Sequence, residues 1–392
     1  MFLDETSDQL ALRKELREYF ARLLTPEVRE ALGAPGEGSP MFRTIVRQMG
    51  RDGWLGLGWP KHYGGQGRPA TDQFIFFDEV QRADAPFPFV TVNTVGPTLM
   101  EFGSEEQKQR FLPVILAGEV NFAIGYTEPA SGTDLASLST RALLDGDEWI
   151  INGSKVYTSG ANQSDYVWLA CRTDPDVAKH KGISMIMVPT DSPGFSWTPI
   201  VTVGGVATTA TFYADVRVPR ENLVGDLNSG WRMITTQLNH ERVGLAALAG
   251  RTFHIFDEIV AWAAAEPDGS GGCVIDAPWV QSDIARCHAI LEGLRLMNWR
   301  MALDVAGGTL SPADSSAVKV FGTEGVVEVY RLLLGVVGAA GLLPPGSKGA
   351  VIEGQLERMG RMAQINTFGG GVNEVQRDIV ASVGLKMARS SR

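Results

Sequence analysis

Cysteine is scarce: Cys171, Cys273 and Cys287 are the only three in 392 residues. With no CxxC pair and no metal-ligand spacing, they form no disulfide framework and suit a reducing cytosol. Histidine is thin as well. The five present (His62, His180, His240, His254, His288) include no HExxH pair, and no GxSxG elbow accompanies them. Metal-dependent hydrolysis and Ser-His-Asp chemistry therefore have no residues to rest on. Positive charge is in deficit: 35 Lys and Arg stand against 45 Asp and Glu, a net charge of −10. Nucleic acid and anionic membrane surfaces reward basic patches, so both are excluded as natural partners. The most apolar run, LLLGVVGAAGLL at 332–343, has 12 residues, short of the roughly 18 that a membrane span needs. It reads as a buried helix or loop segment. The N-terminus MFLDETSDQLALRKELREYF has charges at helical spacing and no apolar h-region, unlike a signal peptide. No GxGxxG or GxxxxGK[ST] follows a strand-like run, and no tandem repeat is visible.

What is present is the composition of an ordinary globular protein, 44% hydrophobic and 20% charged. The length fits roughly two or three domain-sized units. Residues 1–120 read as a helical domain. In SDQLALRKELREYFARLL an apolar face takes Leu10, Leu12, Leu16, Phe20 and Leu23, and GSEEQKQRFLPVILAGE opens with a serine and acidic residues, as a helix N-terminus should. Residues 121–225 change character. Short runs rich in β-branched and aromatic residues (NFAIGYTEP, DYVWLACRTD, GISMIMVPTD, FSWTPI, TFYADVRVP) are separated by Gly, Asp, Asn and Pro turns, which predicts an antiparallel barrel or sandwich. DGDEWIING reads as a hairpin. Helical periodicity returns over 226–392, interrupted by the loop AEPDGSGGCVIDAP.

Three stretches could carry chemistry. YTEPASGTD (126–134) gathers the hydroxyls of Thr127, Ser131 and Thr133 around Gly132, either as a decorated turn or as a polar cradle. GGGVNEVQRD (369–378) is a helix N-terminus whose glycines let the backbone approach a neighbour closely. In TTQLNHERVGLA, Glu241 is either a solvated helix charge paired with Arg242 or a base set against a substrate.

Taken in order, GWPKHYGGQGRPATDQFIFFDEVQRADAP, GSEEQKQRFLPVILAGE, YTEPASGTDLASL, WIINGSKVYTSG, ADVRVPRENLVG and FGGGVNEVQRDIVA resemble successive landmarks of the acyl-CoA dehydrogenase family, over essentially the whole chain. The resemblance implies an N-terminal helical domain, a middle β-domain and a C-terminal four-helix bundle, with FAD between the last two. It implies that Tyr126, Thr127, Gly132 and Thr133 hydrogen-bond the flavin ring and its phosphates, that Tyr157 covers the ring, and that Ser159 lies near flavin N5. Hydroxyls suit the edge of such a ring and an aromatic face suits its plane. The implied reaction is α,β-dehydrogenation of an acyl-CoA thioester, with a carboxylate removing the α-proton while the β-hydrogen leaves as hydride.

Most of the family carries that carboxylate where this chain has Gly370. A minority carries it on a bundle helix, at the position of Glu241. The resemblance therefore implies Glu241 as base, its pKa raised toward neutrality by a water-poor pocket. It implies Arg242 as a structural or thioester-side partner, and Gly370 as a backbone N–H donor to the thioester oxygen. Two family segments for the flavin's pyrophosphate and adenosine are missing: Arg251 stands outside the R-x-x-F-G pattern, and LLLGVVGAAGLLPP lacks the glutamine and paired glycines of Q-x-x-G-G-x-G. A paralogous subunit supplying those contacts in an α2β2 heterotetramer is the implied remedy. Together with GRDGWLGLGWPK and FAIGYTEP, these departures resemble the actinobacterial subunits of steroid (cholesterol) side-chain degradation. An electron-transferring flavoprotein is the implied acceptor. A non-catalytic scaffold subunit and an acyl-CoA oxidase remain as alternatives.

Overall fold

The computed structural model describes residues 4–33, 39–237 and 249–388. The first part is helical: α1 Ser7–Leu23, α2 Pro26–Leu32, α3 Pro40–Arg51, α4 Ala70–Arg82, α5 Gly96–Phe102 and α6 Glu105–Leu116. Thr6 caps α1 reciprocally with Gln9, and Ser104 caps α6 in the same way with Gln107, so each helix start is fixed by its own side chains. The buried face of α1 is Leu12, Leu16 and Phe20, a stripe at four-residue spacing. It is narrower than the sequence suggested, because Leu10 lies 56% exposed and Leu23 only half-buried.

One helical segment gives no periodic signal. Val90–Val95 is a wide π-type turn that leads directly into α5. Its Val-Thr-Val-Asn-Thr-Val sequence is β-branched and would favour a strand. Burial overrides that preference, since Thr91, Val92, Asn93, Thr94 and Val95 are all buried. Pro97 explains the width. It has no N–H to give the Asn93 carbonyl four residues back, and its ring crowds that carbonyl, so the Gly96 N–H reaches Thr91 instead.

The middle part is an eight-stranded sheet: β1 Phe122–Gly125, β2 Arg141–Asp145, β3 Glu148–Lys155, β4 Tyr166–Arg172, β5 Ile183–Pro189, β6 Phe195–Val201, β7 Ala207–Pro219 and β8 Leu223–Val224. The path runs β6-β7-β3-β2-β4-β5-β8, with β1 beside β4. β2 and β3 form the hairpin read from DGDEWIING, with Gly146 in the left-handed region at φ +61 at its turn. Pairing is antiparallel except that β1 and β2 each meet β4 in parallel. β4 is buried on both faces. Val167, Leu169 and Cys171 join Trp149, Ile151 and Tyr213 inside the β-domain, while Trp168 and Ala170 pack into the helical core. That two-sided burial is why YVWLACR is almost continuously apolar.

The last part contains a helical stretch described through residue 237, then α7 Ala249–Ala265, α8 Pro278–Ala306, α9 Pro312–Val337, α10 Gln355–Met362 and α11 Asn373–Ile379. Phe74 of α4 meets Trp299 of α8 edge to face at 5.9 Å, and the two helical parts share one core. Residues Pro312–Leu342 are long and apolar enough by composition to cross a membrane. Here Val329, Leu332, Leu333, Val336 and Val337 are buried against the rest of the bundle.

Candidate active site

β1 ends at Gly125, and the chain turns out of the sheet at Tyr126 and Thr127. The Tyr126 hydroxyl donates to Gln237 Oε1, tying this turn to the helix at the start of the bundle. Gln237 is buried, and its Nε2 donor has no partner among the described residues. Beneath the turn lies an ion pair that sequence reading missed. The ammonium of Lys155, wholly buried, donates to Glu128 Oε1 at 2.9 Å and to the Tyr126 carbonyl at 3.0 Å. Glu128 also accepts from Ser139 N (2.7 Å), Ser139 Oγ (2.7 Å) and Thr140 N (2.8 Å). Burial alone would push this carboxyl up, but Lys155 and the hydrogen-bond donors outweigh it and hold it at about 2. Both residues stand inside stretches singled out in the sequence. Nothing local announces that they meet, because their contact spans two strands.

The same clamp shapes the next feature. Val156 N donates to the Thr127 carbonyl at 2.8 Å, while Thr158 exchanges hydrogen bonds with Thr209 of β7 at 2.9 and 2.6 Å. Held from both sides, Tyr157 sits in the left-handed region at φ +59 with its side chain 61% exposed. Such a conformation in a bulky residue costs about 1–3 kcal/mol and persists only where the surroundings dictate it. Ser159 is exposed beside it, its Oγ 2.9 Å from Thr208 Oγ1. Tyr126, Thr127, Tyr157 and Ser159 thus gather at one rim. Gly132 and Thr133 lie exposed on the adjoining turn, which Glu128 and Ser131 close with paired backbone bonds of 3.0 Å. A Cβ on Gly132 would meet only Thr127 Cγ2, at 3.9 Å, so the turn offers bare, approachable backbone.

An exposed aromatic face, two hydroxyl residues and an unpartnered buried amide donor fit the flavin that the resemblance implies. Among the described residues, no cluster of His, Cys, Asp or Glu could hold a metal ion. Gly370 is exposed at φ +67, with open space where a Cβ would stand. Its loop is pinned to α9 by Lys319, which donates to the carbonyls of Thr367 (3.1 Å) and Gly371 (2.7 Å) and to Asn373 Oδ1 (2.7 Å). Glu241 and Arg242 lie outside the described residues.

A cavity of roughly 430 Å³ opens in the N-terminal helical part. Trp54, Trp59, Phe76, Phe77 and Phe87 supply aromatic walls, and Val305 of α8 reaches it from the bundle. Gln73, Asn93 and Glu101 are the polar side chains among its mainly apolar walls. The π-type turn that lines it is fastened to β1, because Thr91 Oγ1 accepts from Phe122 N at 2.9 Å and donates to Asn121 at 2.7 Å.

Comparison with known proteins matches three family models in order: acyl-CoA dehydrogenase N-terminal domain over residues 6–119, middle domain over 123–216 and C-terminal domain over 228–385. The acyl-CoA dehydrogenase FadE26 of Mycobacterium tuberculosis is 52% identical, over 100% of both chains. The solved Tcur3481-Tcur3483 steroid ACAD superposes with a TM-score of 0.95 at 57% identity, over 100% of both chains. The ChsE4-ChsE5 complex from Mycobacterium tuberculosis follows at 0.94 and 52%, again over 100% of both.

Proposed function

Because this chain belongs to the acyl-CoA dehydrogenase family, we propose that it performs FAD-dependent α,β-dehydrogenation of a steroid side-chain CoA thioester, as the base-bearing subunit of a cytoplasmic heteromer. The observation that carries the reading is the rim where Tyr126, Thr127, Tyr157 and Ser159 meet, beside the unpartnered Nε2 of Gln237. FAD, when bound, supplies the acceptor for the hydride that leaves the β-carbon.

This chain's own residues do the rest. Thr127 and Ser159 would offer hydroxyls to the flavin, Tyr157 would supply an aromatic face to its ring, and the Gly132–Thr133 backbone would be open to its phosphates. Glu241 takes the α-proton. It stands four positions after Gln237 in the sequence, and Gln237 itself is tied to the rim by its bond to Tyr126. Arg242 serves the thioester side, and Gly370 offers its backbone N–H to the developing oxyanion.

Two relatives support the substrate and the assembly, one described as a steroid ACAD with two components and the other as a two-component complex. Arg251 lies beside Asp84, just past α4, and outside the family's phosphate-binding pattern. A paralogous subunit in an α2β2 assembly would supply the adenosine-side contacts, and an electron-transferring flavoprotein would take the electrons. Expression alone and together with the neighbouring paralogue tests this. The heteromer should hold flavin and reduce an artificial acceptor with a steroid side-chain CoA ester, without forming peroxide. A stable yellow homotetramer formed by this chain alone would refute the heteromeric reading, and stoichiometric peroxide would make the enzyme an oxidase.

A further inference from the structure

The aromatic cavity contains one group that its walls do not explain. Asn93 is buried on the π-type turn and lines the cavity, yet its Oδ1 has no hydrogen-bond partner among the described residues. A buried carboxamide oxygen left unpaired costs stability, and folded proteins rarely keep one without a use. The neighbouring groups are already engaged. Trp59 Nε1 donates to the Val92 carbonyl at 3.1 Å, and Thr91 is bound to Asn121 and Phe122. The bulge forced by Pro97 therefore holds an amide oxygen without a partner among the described residues at the edge of a mainly apolar space, which Gln73 and Glu101 also line.

Resting on the acyl-CoA dehydrogenase reading above, we propose that this cavity takes the fused-ring part of the acyl group and that Asn93 selects substrates bearing one oxygen function on those rings. The Asn93 side chain presents an acceptor in Oδ1 and a donor in Nδ2. It can accept from a ring hydroxyl or, with the amide turned about its last torsion, donate to a ring ketone. Flat apolar rings match walls made by Trp54, Trp59, Phe76 and Phe77, and of the polar side chains among them (Gln73, Asn93 and Glu101) Asn93 carries the buried oxygen without a partner among the described residues. Asn93 is then a specificity-determining residue, remote from the bond that is oxidised. A site built to hydrogen-bond such a group discriminates strongly against an analogue that lacks it.

The test uses the flavin-loaded enzyme with its partner subunit and three four-ring CoA esters that share one side chain: a ring-hydroxyl, a ring-ketone and an oxygen-free form. The wild type should favour one oxygenated ester over the oxygen-free one in kcat/KM by roughly five- to hundredfold. Asn93→Leu should erase that preference while leaving the thermal midpoint equal or higher, since it removes an unpaired buried amide. A preference for the hydroxyl or for the ketone identifies which end of the amide is used. Equal use of all three esters by the wild type would overturn the proposal. So would a preference that survives in Asn93→Leu, or a large loss of stability in that variant, which would mark Asn93 as structural. If no ring-bearing ester is turned over while simple acyl-CoA esters are, the proposed reaction on a steroid side chain fails, and binding decides whether this inference falls with it. A binding arm separates the two failures. Quenching of Trp54 and Trp59 emission by the ring-oxygenated ester, absent with the oxygen-free one, would keep the cavity assignment even if the side-chain chemistry were misjudged.

Discussion

At the scale of single residues, the site stands on a buried ion pair. Glu128 and Lys155 fix the turn from which Tyr126 and Thr127 project. Removing one partner strands the other charge in the interior. Glu128→Gln should therefore cost roughly 3–5 kcal/mol in urea denaturation, and adding Lys155→Met should recover most of that loss. The pH dependence has a definite sign. The folded carboxyl titrates at about 2, against 4.5 for the free group. Between those values the unfolded chain binds more protons, so the pair's contribution is complete above pH 4.5 and disappears as pH falls toward 2. The double variant should lack that acid slope. An unchanged slope would assign the acid sensitivity to other carboxylates.

At the scale of elements, the π-type turn and α5 decide the shape of the cavity. Gly96 is required there by close approach, since a Cβ would lie 2.1 Å from Trp59 Cζ2. Gly96→Ala should push the indole off its bond to Val92 and cost about 1–3 kcal/mol by overpacking, seen as a lower thermal midpoint and red-shifted tryptophan emission. A variant with wild-type stability and emission would contradict the packing described here. This is also the element that the sequence concealed. Helices with side-chain caps and polar faces, such as α1 and α6, were legible from spacing, as was the β2–β3 hairpin from its turn. Val90–Val95 was not, because a β-branched run is helical only when its neighbours bury it. The rim residues Tyr126, Thr127, Tyr157 and Ser159 were reached through family motifs. Lys155, Glu128 and Asn93 were not, because what marks them is a contact, or the lack of one, between distant segments.

At the scale of the whole molecule, the sheet ends in an edge that needs explaining. Among the described residues β6 pairs only with β7, and along it Trp197 and Val201 are exposed, with Val203 in the following loop. A long exposed apolar edge invites association. If it is covered in the proposed heteromer, Val201→Glu, at a position 80% exposed, should leave the chain's own stability within about 0.5 kcal/mol of wild type. It should still weaken assembly in sedimentation velocity. Unchanged assembly would put the interface on another face.

The central claim is that Glu241 is the base and that the β-domain rim holds the flavin independently of it. Anaerobic mixing of the flavin-loaded enzyme with its acyl-CoA substrate, followed through bleaching of the flavin's visible band, tests this most directly. Glu241→Gln should keep its flavin and bleach about 100- to 10,000-fold more slowly than wild type. Bleaching at the wild-type rate, or a variant that emerges colourless, would contradict the account.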